Sequence, residues 1–285
     1  MDNRLKGSGS RRYVEIERSR FEKQRPLLEN LGRSNQERQA MYDINEMMVW
    51  ARQNKVRLLL MGGYAARAYS GPTRYTHDID MVVHSEDARK IGLMLKNLGY
   101  KRKKLRLSNE NVIILGRKAN KSKKDCGPAT AAHISVSPIY DASSAVAYEP
   151  KFSLASNYEK EIFGFYPENG SFSMQARLLR PEELLIVKLM MKKIRSKDLV
   201  DSIGIIRYGM CVVPADFSTN EFVGLIKEAG MAEHMRAMII CKIRDGLDNG
   251  MLDEAMAAYL DRKLSPGEKD ALIEFAGNTI PYLDR

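Results

Sequence analysis

The hydrophobic rhythm of the chain changes near residue 180. Before it, short apolar runs alternate with helical stretches; after it, the helical period dominates. "SNQERQAMYDINEMMVWARQN", from Ser34, places Met41, Ile44, Met48 and Ala51 on one helical face. Ser34 and Glu37 have capping-box spacing, and the methionines read as core filling. A strand "VRLLLM" (56–61) follows, then Gly62-Gly63, a short helix over "YAARAYS", and a strand "DIDMVV" (78–83). Ser85 is placed to cap a helix through "EDARKIGLMLKNL" that stops at Gly99. "LRLS" and "NVIILG" read as paired strands and "AAHISVSP" as a further one. That order predicts a small mixed sheet with helices packed on one side. Beyond Arg180, five periodic stretches predict a helical domain, opened by Pro181, Glu182 and Glu183. The expected fold class is α+β. Its expected parts are a basic arm over 1–33, partly disordered or helical, a sheet core over 34–176 and a helical domain over 177–285.

Charge sharpens this picture. The net charge is +10, and residues 96–124 alone hold eleven Lys and Arg against one Glu. So concentrated a patch predicts a polyanion partner, because each neutralised phosphate releases counterions. Lys101, Arg102, Lys103, Lys104, Arg106, Arg117 and Lys118 are the candidate nucleic-acid contacts. The plainer alternative is a solvated basic loop. A hydrophobic share of 44% is that of an ordinary soluble protein. No apolar run approaches the roughly 20 residues that cross a bilayer, and the first residues lack a secretory apolar core. Cys126, Cys211 and Cys241 are odd in number and widely spaced. They predict reduced thiols in a cytoplasm, without disulfides or a zinc site. His77, His84, His133 and His234 lack metal-ligand spacing and read as structural or exposed.

The candidate chemistry lies in "GGYAARAYSGPTRYTHDID", residues 62–80. Side chains alternate along a strand, so Asp78 and Asp80 point one way while Ile79, Met81 and Val83 point the other. Two like charges side by side repel unless a cation sits between them. Gly62 and Gly63 let backbone N–H groups at a helix start approach a phosphate closely. Each motif alone has a plainer reading. Two glycines after a strand can be a tight turn, and two aspartates can be edge charges facing water.

Together the motifs resemble those of the nucleotidyltransferase superfamily with the DNA polymerase β-like core, and within it the AbiEii-type toxin nucleotidyltransferases. Residues 62–80 are similar to that family's Gly-Gly and Asp-hydrophobic-Asp motif. "RPEELLIVKLMMKKIRSKDLVD", residues 180–201, resembles the block that opens its helical part. The resemblance implies a nucleotidyltransferase-type sheet core and a Mg2+ (or Mn2+) ion held by Asp78 and Asp80. It implies an NTP bound by Gly62, Gly63, Arg74, Thr76, Lys188 and Arg195. Lys188 would face the cleft, with Asp198 or Asp201 orienting it or meeting the acceptor.

Such enzymes usually carry a third carboxylate on a later strand. Here Ser135 stands at the expected place, with His133 on the same face and Asp141 the nearest carboxylate, expected in a loop. Either a base comes from elsewhere (Asp141 or Asp125), or the register differs, or nucleotide is bound without transfer. The expected function is NMP transfer from NTP to an RNA hydroxyl, plausibly a tRNA 3′ end, as a toxin with an antitoxin partner. The alternatives are an antibiotic-type small-molecule nucleotidyltransferase and a degenerate RNA-binding module.

Overall fold

The structure is a computed structural model and describes residues 31–70, 76, 78–106, 112–118, 130–141, 143–152, 159–166 and 170–284. Arg74, His77, Asp125, Cys126 and the arm before residue 31 lie outside the described residues. Two compact units divide the chain: Met1–Ser137 with Lys151–Leu178, and Pro138–Pro150 with Leu179–Arg285. Among the described residues no helix is long and apolar enough to cross a membrane.

The first unit runs α1 (Leu31–Gln53), β1 (Leu58–Met61), α2 (Gly62–Ser70), β2 (Asp78–Val83) and α3 (Ala88–Asn97). It continues with β3 (Lys101–Arg106), β4 (Val112–Lys118) and β5 (Thr130–Val136). These five strands form one mixed sheet in the order β1-β2-β5-β4-β3. β2 and β5 are parallel and every other pair is antiparallel. One face is apolar: Leu60, Ile79, Met81, Val83, Ile114, Ala132 and Ile134 are all buried. Ala40, Met41, Ile44, Met47 and Met48 of α1, and Ile91, Met94 and Leu95 of α3, supply the helical part of that core. α1 is tied to the sheet by Asp43, which accepts from Tyr100 Oη (2.5 Å) and Lys118 Nζ (2.8 Å). The mixed sheet with helices on one side is the architecture the pattern predicts.

Two predicted caps are corrected. α1 runs without a break from Leu31, so Ser34 lies inside a helix rather than at its start. Ser85 opens a short 3₁₀ turn (Ser85–Asp87) whose cap is His84, where Nδ1 accepts from Glu86 N at 3.3 Å. A ring nitrogen there satisfies an orphan amide as a serine hydroxyl would. The basic strand starts at Lys101, four residues before the predicted "LRLS". A further hairpin, β8 (Glu159–Tyr166) with β9 (Gly170–Arg177), lies outside the strands that the pattern predicts. Its first strand opens on the charged triplet Glu159-Lys160-Glu161, which masks the strand pattern.

The second unit holds a small hairpin, β6 (Ile139–Asp141) with β7 (Val146–Tyr148), and then helices. These are α4 (Pro181–Met190), α5 (Ser196–Arg207), α6 (Thr219–Glu228), α7 (Ala232–Ile239), α8 (Met251–Leu260) and α9 (Pro266–Leu283). α7 continues as a π turn over Ile240–Arg244. The run 181–209, read as one periodic stretch, breaks at 191–195. Asp141, expected in a loop, ends strand β6. α4 is buried on all sides, so it is the hydrophobic axis of this unit.

Candidate functional site

The corner between β1 and α2 is built for close approach. Gly62 has φ +70°, a backbone conformation that strains any residue with a side chain. A Cβ added there would lie 2.6 Å from Asp80 Cβ and closer still to its carboxylate. The Asp80 carboxylate therefore fills the volume that Gly62 leaves open. The antiparallel register explains the meeting, since Met61, the last residue of β1, pairs with Asp80. Asp78 and Asp80 are both partly exposed while Ile79 and Met81 between and beyond them are buried. They share a face, as alternation requires.

Following the pairing across the sheet yields two rows on this face. One reads Lys101, Arg117, Ala131, Asp78, and the other Lys103, Leu115, His133, Asp80, Met61. Directly paired residues point to the same side, so these side chains are lateral neighbours. The register corrects the sequence reading of β5, because Ser135 pairs with Val82 and the place beside Asp80 belongs to His133. His133 Nδ1 stands 3.5 Å from Asp80 Oδ1, with side-chain exposures of 39% and 30%. The hydrogen bond to Asp80 raises the affinity of His133 for its proton; burial opposes this, and the Asp80 and Asp78 charges add to the rise. The sequence places His133 on the face of Ser135, but only the parallel strand pairing decides that His133, not Ser135, stands beside the acid pair.

The basic candidates divide between the two faces. Lys101, Lys103 and Arg117 are exposed and share the face of Asp78 and Asp80. Lys118 is on the opposite face, paired to the buried Asp43. Arg102 also lies there, its guanidinium in the space a side chain at Gly92 of α3 would need. Lys104 and Arg106 continue β3. Thr76 is held by its backbone, its N–H donating to Glu37 Oε1 at 3.1 Å and its carbonyl accepting from Tyr64 Oη at 3.2 Å. Glu37 also pairs with Arg67 in a buried contact. Together they anchor the approach to β2.

The remaining candidates belong to the second unit. Lys188 Nζ donates to Asp198 Oδ1 (3.0 Å) and Asp201 Oδ2 (2.7 Å), and Arg195 Nε to Asp198 Oδ2 (2.5 Å). Lys188 thus bonds both of the aspartates that the resemblance offers as alternatives, and Arg195 remains exposed. Burial raises the Asp198 carboxyl, but the Lys188 and Arg195 charges outweigh it and hold the group below its ordinary range. Asp141 accepts from Lys192 N (2.8 Å), Ser143 Oγ (2.8 Å) and Ser144 Oγ (2.5 Å). Burial raises its pKa, yet these bonds bring it to about 2. A carboxylate so engaged is a poor proton acceptor, which weighs against Asp141 as one of the two carboxylates offered as a base. Lys242 is buried and donates to the carbonyls of Lys188 (3.4 Å), Leu189 (2.8 Å) and Met191 (2.5 Å). Burial pushes its ammonium down to about 8. His234 Nε2 meets the carbonyl of Met190 at 2.6 Å. Lys242, which the sequence reading does not single out, and His234, read there as structural or exposed, satisfy the carbonyls that a helix C-terminus leaves unpaired.

Two carboxylates on one face, beside a cradle that a Cβ would fill, are a pair of hard oxygen donors of the kind that suits a divalent cation. Among the described residues no group of three or more His, Cys, Asp or Glu side chains is arranged to hold a metal ion. A metal there would need water or phosphate oxygens to complete its coordination.

No family model and no curated protein matches the chain. Among solved structures it is similar to the antibiotic-resistance factor ANT(2'')-Ia in solution, at 14% identity and TM-score 0.33, over 78% of this chain and 98% of that one. It is also similar to the lincosamide antibiotic adenylyltransferase LnuA with lincomycin bound, at 14% identity and TM-score 0.33, over 57% and 94%. A crystal structure of ANT(2'')-Ia with adenylyl-2''-tobramycin gives 15% identity and TM-score 0.29, over 75% and 93%. The expected RNA acceptor, toxin role and antitoxin partner find no support in these matches.

Proposed function

We propose that the chain is a nucleotidyltransferase, moving an NMP from an NTP to an acceptor hydroxyl. One observation carries the reading: the Asp80 carboxylate is seated against Gly62, at a corner where a strand ends and a helix begins. There the backbone N–H groups at the start of α2 meet a triphosphate with no side chain in the way. Asp78 and Asp80 would hold a divalent ion, and the chemistry it would supply there is neutralisation of phosphate charge. The acceptor oxygen attacks the α-phosphorus, the bond to pyrophosphate breaks, and the hydroxyl proton passes to the surrounding water. Lys188 and Arg195 belong to this reading as cations for the triphosphate, with Asp198 and Asp201 as positioning residues.

For the acceptor, a small molecule is the reading in keeping with the antibiotic enzymes named above. RNA is the second reading, favoured by Lys101, Lys103 and Arg117 on the same sheet face as the acid pair. A tRNA 3′ end and an antitoxin partner belong only to that second reading.

Purified protein is given each labelled NTP with Mg2+ or Mn2+ and either hydroxyl-bearing antibiotics or total tRNA. Label is expected on one acceptor class, falling at least about 10³-fold in Asp80→Asn, because loss of Lewis-acid stabilisation is worth several kcal/mol. Label on neither class, or undiminished label with Asp80→Asn, overturns the proposal.

A further inference from the structure

We propose that Lys101 and Arg117 form a phosphate site on the face of the acid pair, so that the acceptor is itself a phosphate ester. This rests on the proposed function and narrows the acceptor within it.

The register puts Lys101 of β3 directly opposite Arg117 of β4. Like charges placed abreast in a sheet repel and cost stability. Both side chains are exposed, and among the described residues neither has a carboxylate partner. Lys118, the next residue along β4, differs, because it pairs with Asp43 on the opposite face. A cation on a sheet edge also guards that edge against pairing with another chain, which accounts for Lys101 on the outermost strand. It does not account for Arg117, because β4 is bonded on both sides, to β3 and to β5. An anion held between the two cations relieves their repulsion. Phosphate is the anion that such a pair fits, since the planar guanidinium bonds two of its oxygens and the ammonium adds a point charge.

What lies beside the pair says what the phosphate belongs to. The same row continues from Arg117 through Ala131 to Asp78. Ala131 is small, so within that row no bulky side chain stands between the cations and the acid pair. Neighbouring strands lie about 4.8 Å apart, which sets Arg117 roughly 10 Å from Asp78 across the sheet. The Arg117 charge is felt at His133, the neighbour of Asp80, where it opposes the proton. A molecule with its phosphate on Lys101 and Arg117 can lay its body across Ala131 and bring a hydroxyl to the acid pair. Lys103, opposite Leu115 in the adjacent row, is placed to meet a second phosphate of a nucleotide chain. A phosphorylated small molecule and an RNA share this chemistry, and the number of phosphates engaged separates them.

Full-length protein is titrated by calorimetry with each nucleoside, its 5′-monophosphate and a short oligoribonucleotide. Wild type is expected to hold at least one monophosphate about tenfold or more above its nucleoside, the worth of a charge-assisted contact. In Lys101→Gln/Arg117→Gln that ratio falls to within about twofold, while NTP with Mg2+ still binds. An oligoribonucleotide held more tightly than the monophosphates identifies RNA as the source of the phosphate. One held no more tightly identifies a small phosphate ester, and either result supports the site. Circular dichroism checks the fold, and the single variants Lys101→Gln and Arg117→Gln are read in the same way. Equal affinity of wild type for nucleosides and monophosphates, or a preference that survives in the double variant, overturns this inference alone when NTP is bound. Wild type that binds no NTP overturns the proposed function and this inference with it.

Discussion

At the scale of single residues, the site depends on what is missing at position 62. Gly62 combines a left-handed backbone with a neighbour that occupies its absent Cβ. Gly62→Ala is therefore expected to cost about 1–3 kcal/mol of stability in the first unit. It also displaces the Asp80 carboxylate, and a misplacement of about 1 Å lowers turnover by roughly 10²-fold. Denaturant titration beside a transfer assay checks both parts, and an active, fully stable alanine variant would contradict the cradle. Its opposite is Gly99, which also has positive φ (78°) but nothing near its absent Cβ. Gly99→Ala is expected to affect stability modestly and transfer not at all.

At the scale of elements, α4 shows how a buried helix end is finished. Its last carbonyls are covered by Lys242 and His234, donors that arrive from α7 and the π turn after it. Lys242→Met keeps the volume but strands those oxygens, and each unsatisfied buried group costs about 1–3 kcal/mol. A clear loss of stability in calorimetry is expected, whereas an unchanged melting profile would mean that water reaches the carbonyls. The start of α9 offers a pH test. Ser265 Oγ accepts from Glu268 N, and Glu268 accepts from Arg262 at 2.7 and 2.8 Å. Burial raises the Glu268 carboxyl, but Arg262 and Ser265 together bring it down to about 2, from an ordinary 4.5. A depressed carboxylate stabilises the fold above its unfolded pKa and loses that contribution as pH falls. The loss therefore spans about pH 4.5 to 2, amounting to roughly 3 kcal/mol. Glu268→Gln should be less stable than wild type at about pH 7 and converge with it near about pH 2.

At the scale of the whole molecule, the two units are interleaved along the chain, because residues 138–150 belong with the helices and 151–178 with the sheet. A single cut near 178 therefore separates Asp141 from its bond to Lys192 and Tyr148 from its bond to Glu183. A fragment ending there is expected to expose the β6–β7 hairpin and to aggregate, as size-exclusion chromatography would show. Charge is also a property of the whole molecule, since it acts over a Debye length of about 8 Å at physiological salt. If an RNA acceptor is used, reversing Lys101, Lys103 and Arg117 to Glu should weaken its binding. The slope of log K against log salt should fall by about 0.7 for each phosphate that is no longer neutralised. An unchanged slope would return the choice to a small-molecule acceptor.

What the sequence determined by itself is local. A strand closing on two glycines, a helix, and Asp78 and Asp80 on one face all follow from nearest-neighbour sterics and side-chain alternation, which need no partner element. Asp43 bonded to Tyr100 and Lys118, His133 beside Asp80, the split of the basic residues between two faces, and Lys242 at the end of α4 were not legible. Each depends on strand order, register or helix packing between segments far apart in the chain. Those are fixed only when the apolar faces close over one another, and it is that closure, not any motif, that puts a nitrogen where a third carboxylate was expected.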